Sequence, residues 1–448
     1  MKKSLSLLLA VATIASAQEK PLLTLDDALR IGRQNSRILL LAAARVDAAE
    51  GKAGAASSAL LPSLKFEGSY RRLSDVPSFS IQLPVLPKPF VIFPTILDNF
   101  ALRLSLQHPL FTGFKLSSNA RAAEGLAQAS VLDKLNDRDD LDLSITTAYW
   151  TLYQTIETKR VTDENVTRLL TYLRDSENMM KAGLATKNDV LKIQVQLNNA
   201  RLQQIDAAND VQVAVMNLNN VMGRPVELDV QPASVPRQGS EADTILAGLA
   251  PEPAAELTEQ ALRLRHDVQA METRVEAAQA SVKGAQGNLW PQLFLSANYY
   301  YSQPNARYQP PQSVWKDSWD VGVTLQFDLW NWGLTSYETD QAKATLAQNQ
   351  TVLEQLKENV TLEIRRQTMS LQRSREKVQV AQLGVDQAEE NLRTASDKYK
   401  NGVATSTDLL DANVSLLQAR TSRTGALVEH ELAVARLKRA LGTKDEIR

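Results

Sequence analysis

The 21-residue segment from Lys400 to Arg420 reads KNGVATSTDLLDANVSLLQAR, and 219 residues earlier Lys181 to Arg201 reads KAGLATKNDVLKIQVQLNNAR. Gly402 answers Gly183, Thr405 answers Thr186 and Asp408 answers Asp189. A glycine among small residues, then a threonine, then a long apolar-periodic run is the pattern of a helix end, a tight turn and a new helix. The chain therefore carries two helical hairpins, and its fold has to accommodate both.

Each turn follows an unusually long helical stretch. Lys115 to Lys181 and Thr335 to Lys400 would each span roughly 100 Å if continuous, and only a coiled-coil-like assembly holds such a rod. Ile364, Leu371, Val378, Val385, Leu392 and Tyr399 fall seven apart, with Ala381, Ala388 and Ala395 three residues after members of that series. In the first return helix Val190, Leu197, Val211 and Leu218 run beside Ile193, Ala200, Ala207, Ala214 and Val221. In the second, one seam is entirely alanine, at Ala412, Ala419, Ala426, Ala433 and Ala440. Sustained heptads predict knobs-into-holes packing, and an alanine seam lets neighbouring helices approach closely around a cylinder. Gln204, Arg423, His430 and Lys159 also occupy seam positions, so an all-apolar interior is not implied.

Ahead of each rod lies a pair of alternating segments. Leu64, Phe66 and Tyr70 alternate with Lys65, Glu67, Ser69 and Arg71, and Phe100 to Leu106 alternates with Arg103, Ser105 and Gln107. Leu293 to Tyr301 and Val321 to Phe327 repeat the pattern, and Trp290-Pro291 stands where Leu61-Pro62 stood. Period-two patterning over about ten residues predicts strands long enough to cross a bilayer when tilted. The same pattern also suits hairpins on a soluble core. Phe111, Phe114, Trp290, Trp330 and Trp332, clustered where strands meet helices, favour the membrane reading as an interfacial belt. Proline-rich turns join the strands: Ser74 to Ile96 holds five prolines and Gln303 to Lys316 three. Before each strand pair a helical stretch is expected, the first starting at Thr24 and broken near Asn35-Ser36, the second running from Glu256 to Leu289.

Met1 to Ala17 has a basic start, an apolar stretch and an Ala15-Ser16-Ala17 cleavage pattern, the features of a secretory signal peptide. Removing Lys2 and Lys3 leaves 48 basic against 51 acidic side chains, about −3, so no broad cationic surface attracts nucleic acid. With no cysteine, the chain offers no thiol for lipid attachment at a processed N-terminus and no disulfide. Past the signal, no run approaches the roughly 18 apolar residues of a membrane-spanning helix, so any bilayer contact falls to strands. His108, His266 and His430 are scattered without ligand spacing, and neither a phosphate loop nor a nucleophile motif is present. No catalytic residue, cofactor or metal is expected, and Met179-Met180 reads as packing rather than metal export.

The boundaries that result are a signal segment at 1–17, a first repeat at 18–223 with strands about 62–109 and a hairpin about 115–222, and a connector at 224–255. A second repeat covers 256–442, with strands about 291–328 and a hairpin about 335–441, before a polar tail at 443–448. Four strands in an open sheet would leave unpaired edges in lipid, which is prohibitive. Closing a barrel takes at least eight strands, so the chain has to oligomerise as a dimer or something larger.

This tandem plan, with its paired AGLAT…DVL and NGVAT…DLLDA turns, resembles the TolC-like outer membrane factors over about Leu22 to Gly442. The resemblance implies an α+β membrane protein: a homotrimer whose four strands per chain form a 12-stranded outer membrane β-barrel, continued by a 12-helix periplasmic α-barrel. It implies an exit duct for efflux or one-step secretion, set in outer membrane lipid and partnered by a periplasmic adaptor and an inner membrane transporter. Carried over by position, Gly183, Leu184, Ala185, Thr186, Gly402, Val403, Ala404 and Thr405 would be adaptor-contact tips. Asp408 and Asp411 match two acidic positions that ring the entrance, and Tyr399 and Asp189 match members of a periplasmic gate. The family places an arginine where Ala404 stands, so the resemblance does not extend to a Tyr-Arg-Asp latch. Independently, Asp408 and Asp411 lie three apart on one helix face, where gathered carboxylates would attract cations, while first-turn aspartates also complement a helix dipole. A different class of protein, a periplasmic coiled-coil scaffold or adaptor without a membrane barrel, has the rods but leaves the alternating segments unused.

Overall fold

The computed structural model describes residues 22–82, 90–93, 95–236 and 254–442. The signal segment, the polar tail and part of the connector therefore lie outside the described residues. The chain divides into two compact units, one made of residues up to Leu40 with Asp137–Ala261 and Thr361 onwards, the other of Leu41–Asn136 and Leu262–Val360.

The first unit begins with strand β1 (Leu22–Leu23) and helix α1 (Leu25–Asn35), capped by Thr24, whose hydroxyl accepts the Asp27 amide. Helix α2 (Arg37–Ser58) starts after a break at Ser36, which has extended backbone. The two rods are continuous: α3 (Lys115–Lys181) and its return α4 (Lys187–Val221) form the first hairpin, and each outgoing helix has 67 residues. The second hairpin is α7 (Leu334–Lys400) and α8 (Ser406–Leu441). The heptad residues are buried as the spacing predicts: Ile364, Leu371, Val385, Leu392 and Tyr399 on α7, and Ala412, Ala426, Ala433 and Ala440 on α8. Polar seam residues find side-chain partners. Gln204 and Lys159 both donate to the Asp163 carboxylate, at 2.7 and 2.6 Å, and His430 Nδ1 lies 3.1 Å from Ser374 Oγ.

The largest core cluster of this unit collects Leu29, Ile145, Tyr149, Trp150, Leu218 and Val428 from α1, both hairpins and neighbouring loops. The Tyr149 hydroxyl donates to the Leu23 carbonyl at 2.9 Å and accepts the Ser234 amide at 2.8 Å. It thereby ties the N-terminal strand and the described part of the connector to α3. Strand β6 (Gln231–Pro232) pairs in parallel with β1.

The second unit holds a four-stranded antiparallel sheet in the order β2 (Ser63–Arg72), β5 (Asp98–Phe111), β7 (Gln292–Gln303), β8 (Lys316–Gln326). The register lines up Phe66, Leu104, Tyr299 and Trp319 across all four strands, and Leu106, Ala297 and Val321 one pleat along. That apolar face is open: Phe66 is 68% exposed and Leu325 67%. On the opposite face Arg103 donates to Asn298 at 2.8 Å, and Asn298 to Asp320 at 2.7 Å, beside Glu67. Strands β2 and β8 are the sheet's edges among the described residues.

Three local features differ from the pattern read in the sequence. The first proline-rich turn contains a short hairpin of its own, β3 (Phe79–Ile81) with β4 (Phe90–Phe93), because apolar and β-branched runs flank its prolines. The helix expected from Glu256 to Leu289 is two helices, α5 (Ala254–Leu264) and α6 (His266–Gln286), followed by one 3₁₀ turn. Arg265 at the break has extended backbone and grips Asp267 with two nitrogens, at 3.0 and 2.7 Å. Finally, β5 runs to Phe111, with a register shift between Pro109 and Phe111.

Each strand pair turns into its rod through two successive left-handed residues, Gly113-Phe114 before α3 and Trp332-Gly333 before α7. Phe114 and Trp332 are the non-glycine residues of these pairs, and both rings are exposed. A side chain at positive φ costs about 1–2 kcal/mol, so the bend is imposed by its surroundings. At Gly113 a Cβ would lie 2.3 Å from the Gly287 carbonyl oxygen, which is why glycine stands there.

Candidate functional site

The two hairpin turns are built alike. Helix α3 ends at Gly183 with φ +77, where the Gly183 amide donates to the Met180 carbonyl and the Leu184 amide to Met179, at 3.0 and 2.8 Å. Helix α7 ends at Gly402 with φ +71, where the Gly402 and Val403 amides donate to Tyr399 and Lys398, at 3.0 and 2.9 Å. These are Schellman closures, and nothing within 4 Å would meet a Cβ at either glycine, so conformation rather than space demands glycine. Leu184 and Val403 then project with their side chains exposed.

Both return helices open on a capping box. Thr186 Oγ1 accepts the Asp189 amide at 3.2 Å, and Asp189 Oδ2 accepts the Thr186 amide at 2.9 Å and its hydroxyl at 2.6 Å. Thr405 and Asp408 reproduce this at 3.2, 2.9 and 2.7 Å. Two orphan amides are thus satisfied at each helix start. Asp408 is therefore engaged by its own helix, whose Thr405 amide and hydroxyl hold its carboxyl below the usual range. Asp411, one turn on, is exposed, and no hydrogen bond to its carboxylate was found among the described residues.

Asp189 does more than cap. Its Oδ1 accepts the Ser406 hydroxyl at 2.6 Å, joining the first hairpin to the start of α8. That bond is the main reason its carboxyl is held low, ahead of the Thr186 hydroxyl and amide. Lys192 Nζ adds a second tie, to Thr407 Oγ1 at 3.0 Å. Tyr399 is elsewhere: it is buried in a cluster with Leu392, Leu409, Ala412 and Leu416, and its hydroxyl has no hydrogen-bond partner among the described residues. The structure thus brings Asp189 to the second hairpin through Ser406, and does not join Tyr399 to either Asp189 or Asp408.

Deeper in the coil, α3 meets α8 through polar groups. Arg168 Nε donates to Asn413 Oδ1 at 3.2 Å, and Asn413 Nδ2 to Asn165 Oδ1 at 2.7 Å. Arg420 bridges Glu164 on α3 and Glu389 on α7, at 2.6 and 2.7 Å. Burial pushes the Arg168 guanidinium pKa down, and the neighbouring Arg420 adds to the shift. The Thr-x-x-Asp capping boxes were legible as a repeated spacing. Ser406, Arg168, Asn413 and Arg420 were not, since their roles exist only once the two hairpins are side by side.

The family model described as "Outer membrane efflux protein" matches residues 29–224 and 257–443. The alkaline protease secretion protein AprF of Pseudomonas aeruginosa is 23% identical over 352 residues, covering 78% of this chain and 71% of that protein. The proteases secretion protein PrtF of Dickeya chrysanthemi is 24% identical over 460 residues, covering 100% of this chain and 94% of its own. Among solved structures, the outer membrane protein VceC of Vibrio cholerae superposes with a TM-score of 0.80 at 20% identity, over 94% of this chain and 97% of that one.

Proposed function

This chain belongs to the outer membrane efflux protein family, and from that membership we propose that it is the exit duct of a tripartite efflux or type I secretion system. It is a passive conduit from periplasm to exterior, opened by a periplasmic adaptor and an inner membrane transporter, and its work requires neither a catalytic residue nor a cofactor. The family and the secretion relatives support the role, and the sheet carries it: an apolar face left open on four strands, with two unpaired edges, suits lipid and not water. Three copies close the sheet into a 12-stranded barrel in the outer membrane and set α3, α4, α7 and α8 of each into a 12-helix periplasmic tunnel. The chain reaches that membrane by way of a cleavable signal segment at 1–17.

In this reading the Gly183–Thr186 and Gly402–Thr405 turns are the periplasmic tips, and exposed Leu184 and Val403 are their adaptor contacts. The gate lies just above, at Asp189, Tyr399, Asp408 and Asp411. Because Asp408 spends one oxygen on its cap, Asp411 supplies most of the attraction for cations at the entrance.

Purification from membranes tests the reading. A detergent-dependent trimer that conducts in planar bilayers, with cation preference weakened by Asp411→Asn, is the expected result. A water-soluble rod without conductance overturns it in favour of a periplasmic scaffold.

A further inference from the structure

The polar face of the four-stranded sheet is charged toward one end. Strands β2 and β7 begin where α2 and the turn after α6 end, and β5 and β8 lead on toward α3 and α7, so the helices all join the same end of the sheet. Near that end the polar face presents Ser63, Gln107, Ser296 and Thr324, none of them charged. Toward the other end, where proline-rich turns join the strands, the register sets Lys65 level with Asp320, Glu67 with Arg103, and Lys316 with Ser69. Each of these rows lies one pleat further from the helices, and Arg71 stands beyond them.

Two cations on this face have carboxylates beside them. Arg103 lies 3.9 Å from Glu67. Arg307, from the turn between β7 and β8, donates to the Trp319 carbonyl at 2.7 Å and lies 3.8 Å from Asp320. Three others, Lys65, Arg71 and Lys316, make no ion pair among the described residues. The carboxylates at this height belong to the apolar face instead: Tyr70 and Arg72 hold Asp98 at 2.8 and 3.1 Å, and Asp317 is paired with Tyr301. Asp75 lies past the end of β2.

The turn between β7 and β8 folds over the polar face and fixes part of this cluster. Asn305 is buried and donates to the Ser318 hydroxyl at 3.0 Å, and Lys316 Nζ stands 5.6 Å from the centre of the Tyr308 ring. Among the described residues, the far end of this face thus sets five cations against two carboxylates. A wall of one sign around a water-filled cleft focuses its field and concentrates ions of the other sign. Lysine and arginine head groups are the usual partners of phosphate and carboxylate, and a ligand carrying several such groups engages more than one of them at once.

We propose that the far end of the polar face is a binding collar for multivalent anions, water-borne compounds that carry several phosphate or carboxylate groups, with Lys65, Arg71 and Lys316 of each copy as its ligands. This rests on the duct reading, which turns the polar face to the lumen and this end to the exterior. The exit then favours solutes of the sign that Asp411 repels. Lipid phosphates are not the ligand, because lipid belongs to the opposite face.

Inorganic triphosphate is the probe. Protein conducting in planar bilayers at about 0.1 M salt, where charges act over about 10 Å, should be blocked by it, and the block should fade toward about 1 M, where that reach is about 3 Å. Lys65→Gln, Arg71→Gln and Lys316→Gln together should raise the half-blocking concentration about tenfold or more, and Lys316→Gln alone about twofold. The single variant keeps the test available if the triple one does not assemble. Arg72→Gln, at the same height on the apolar face, and Asp411→Asn, at the proposed gate, should leave the block unchanged. Conductance that triphosphate does not touch, or a block that survives the collar substitutions, overturns the proposal and leaves the duct reading standing. A block abolished by Arg72→Gln or by Asp411→Asn overturns it too, since the anion then acts on the other face or at the gate. A protein that forms no conducting oligomer overturns both.

Discussion

At the scale of single residues, two aspartates with the same local job do different work. Asp189 and Asp408 each close a capping box, but only Asp189 also accepts Ser406 from the other hairpin. Both carboxyls titrate below the usual aspartate range, the first mainly through Ser406 and the second mainly through the Thr405 amide. A depressed carboxyl contributes stability above its unfolded pKa and loses it as pH falls through the folded one. Protection of the turn amides, measured by hydrogen exchange corrected for intrinsic rate, should therefore be constant from neutral pH to about 5 and decline only below about 4. Asp189→Asn should remove that decline at the first turn and leave it at the second. A decline centred near pH 6 would mean that another group governs the turns.

At the scale of elements, the sheet makes an unusual demand. A lysine on an exposed strand face of a soluble protein changes stability by no more than about 0.5 kcal/mol. On a lipid-facing strand near mid-bilayer it costs about 2–4 kcal/mol. Val321→Lys and Val323→Lys on β8, both at exposed positions near the middle of the strand, should thus sharply reduce heat-resistant oligomers from membranes, while Thr324→Lys on the other face should not. Equal tolerance at all three would place this face in water. These strands were legible in the sequence because period-two patterning is local, and the rods because heptads are local too. The break at Arg265 was not, although it repeats the one at Ser36 after 229 residues, because neither proline nor glycine marks it and an Arg265–Asp267 pair secures it. The β3–β4 hairpin was hidden by the prolines between its strands. For the candidate site, the turns could be read from spacing, and the threonines and aspartates that cap the return helices showed there only as repeated positions. The ties between hairpins could not, since nothing in the spacing says that Ser406 will stand beside Asp189.

At the scale of the whole molecule, the balance between the states of the proposed gate is set by what each leaves unsatisfied. Tyr399 sits among Leu392, Leu409 and Leu416 with a hydroxyl that has no hydrogen-bond partner among the described residues. An unmade hydrogen bond on a buried hydroxyl costs about 1–3 kcal/mol. Within one chain, a rearrangement of α7 and α8 that gives that oxygen a partner is favoured by this amount. In the proposed oligomer that bias would multiply across copies, and a modest push from a partner would then suffice to open the duct. Tyr399→Phe keeps the ring and deletes the oxygen. It should lower the frequency of spontaneous openings in planar bilayers by about tenfold for each 1.4 kcal/mol of bias removed, and openings that become more frequent would show that the hydroxyl serves the closed state instead.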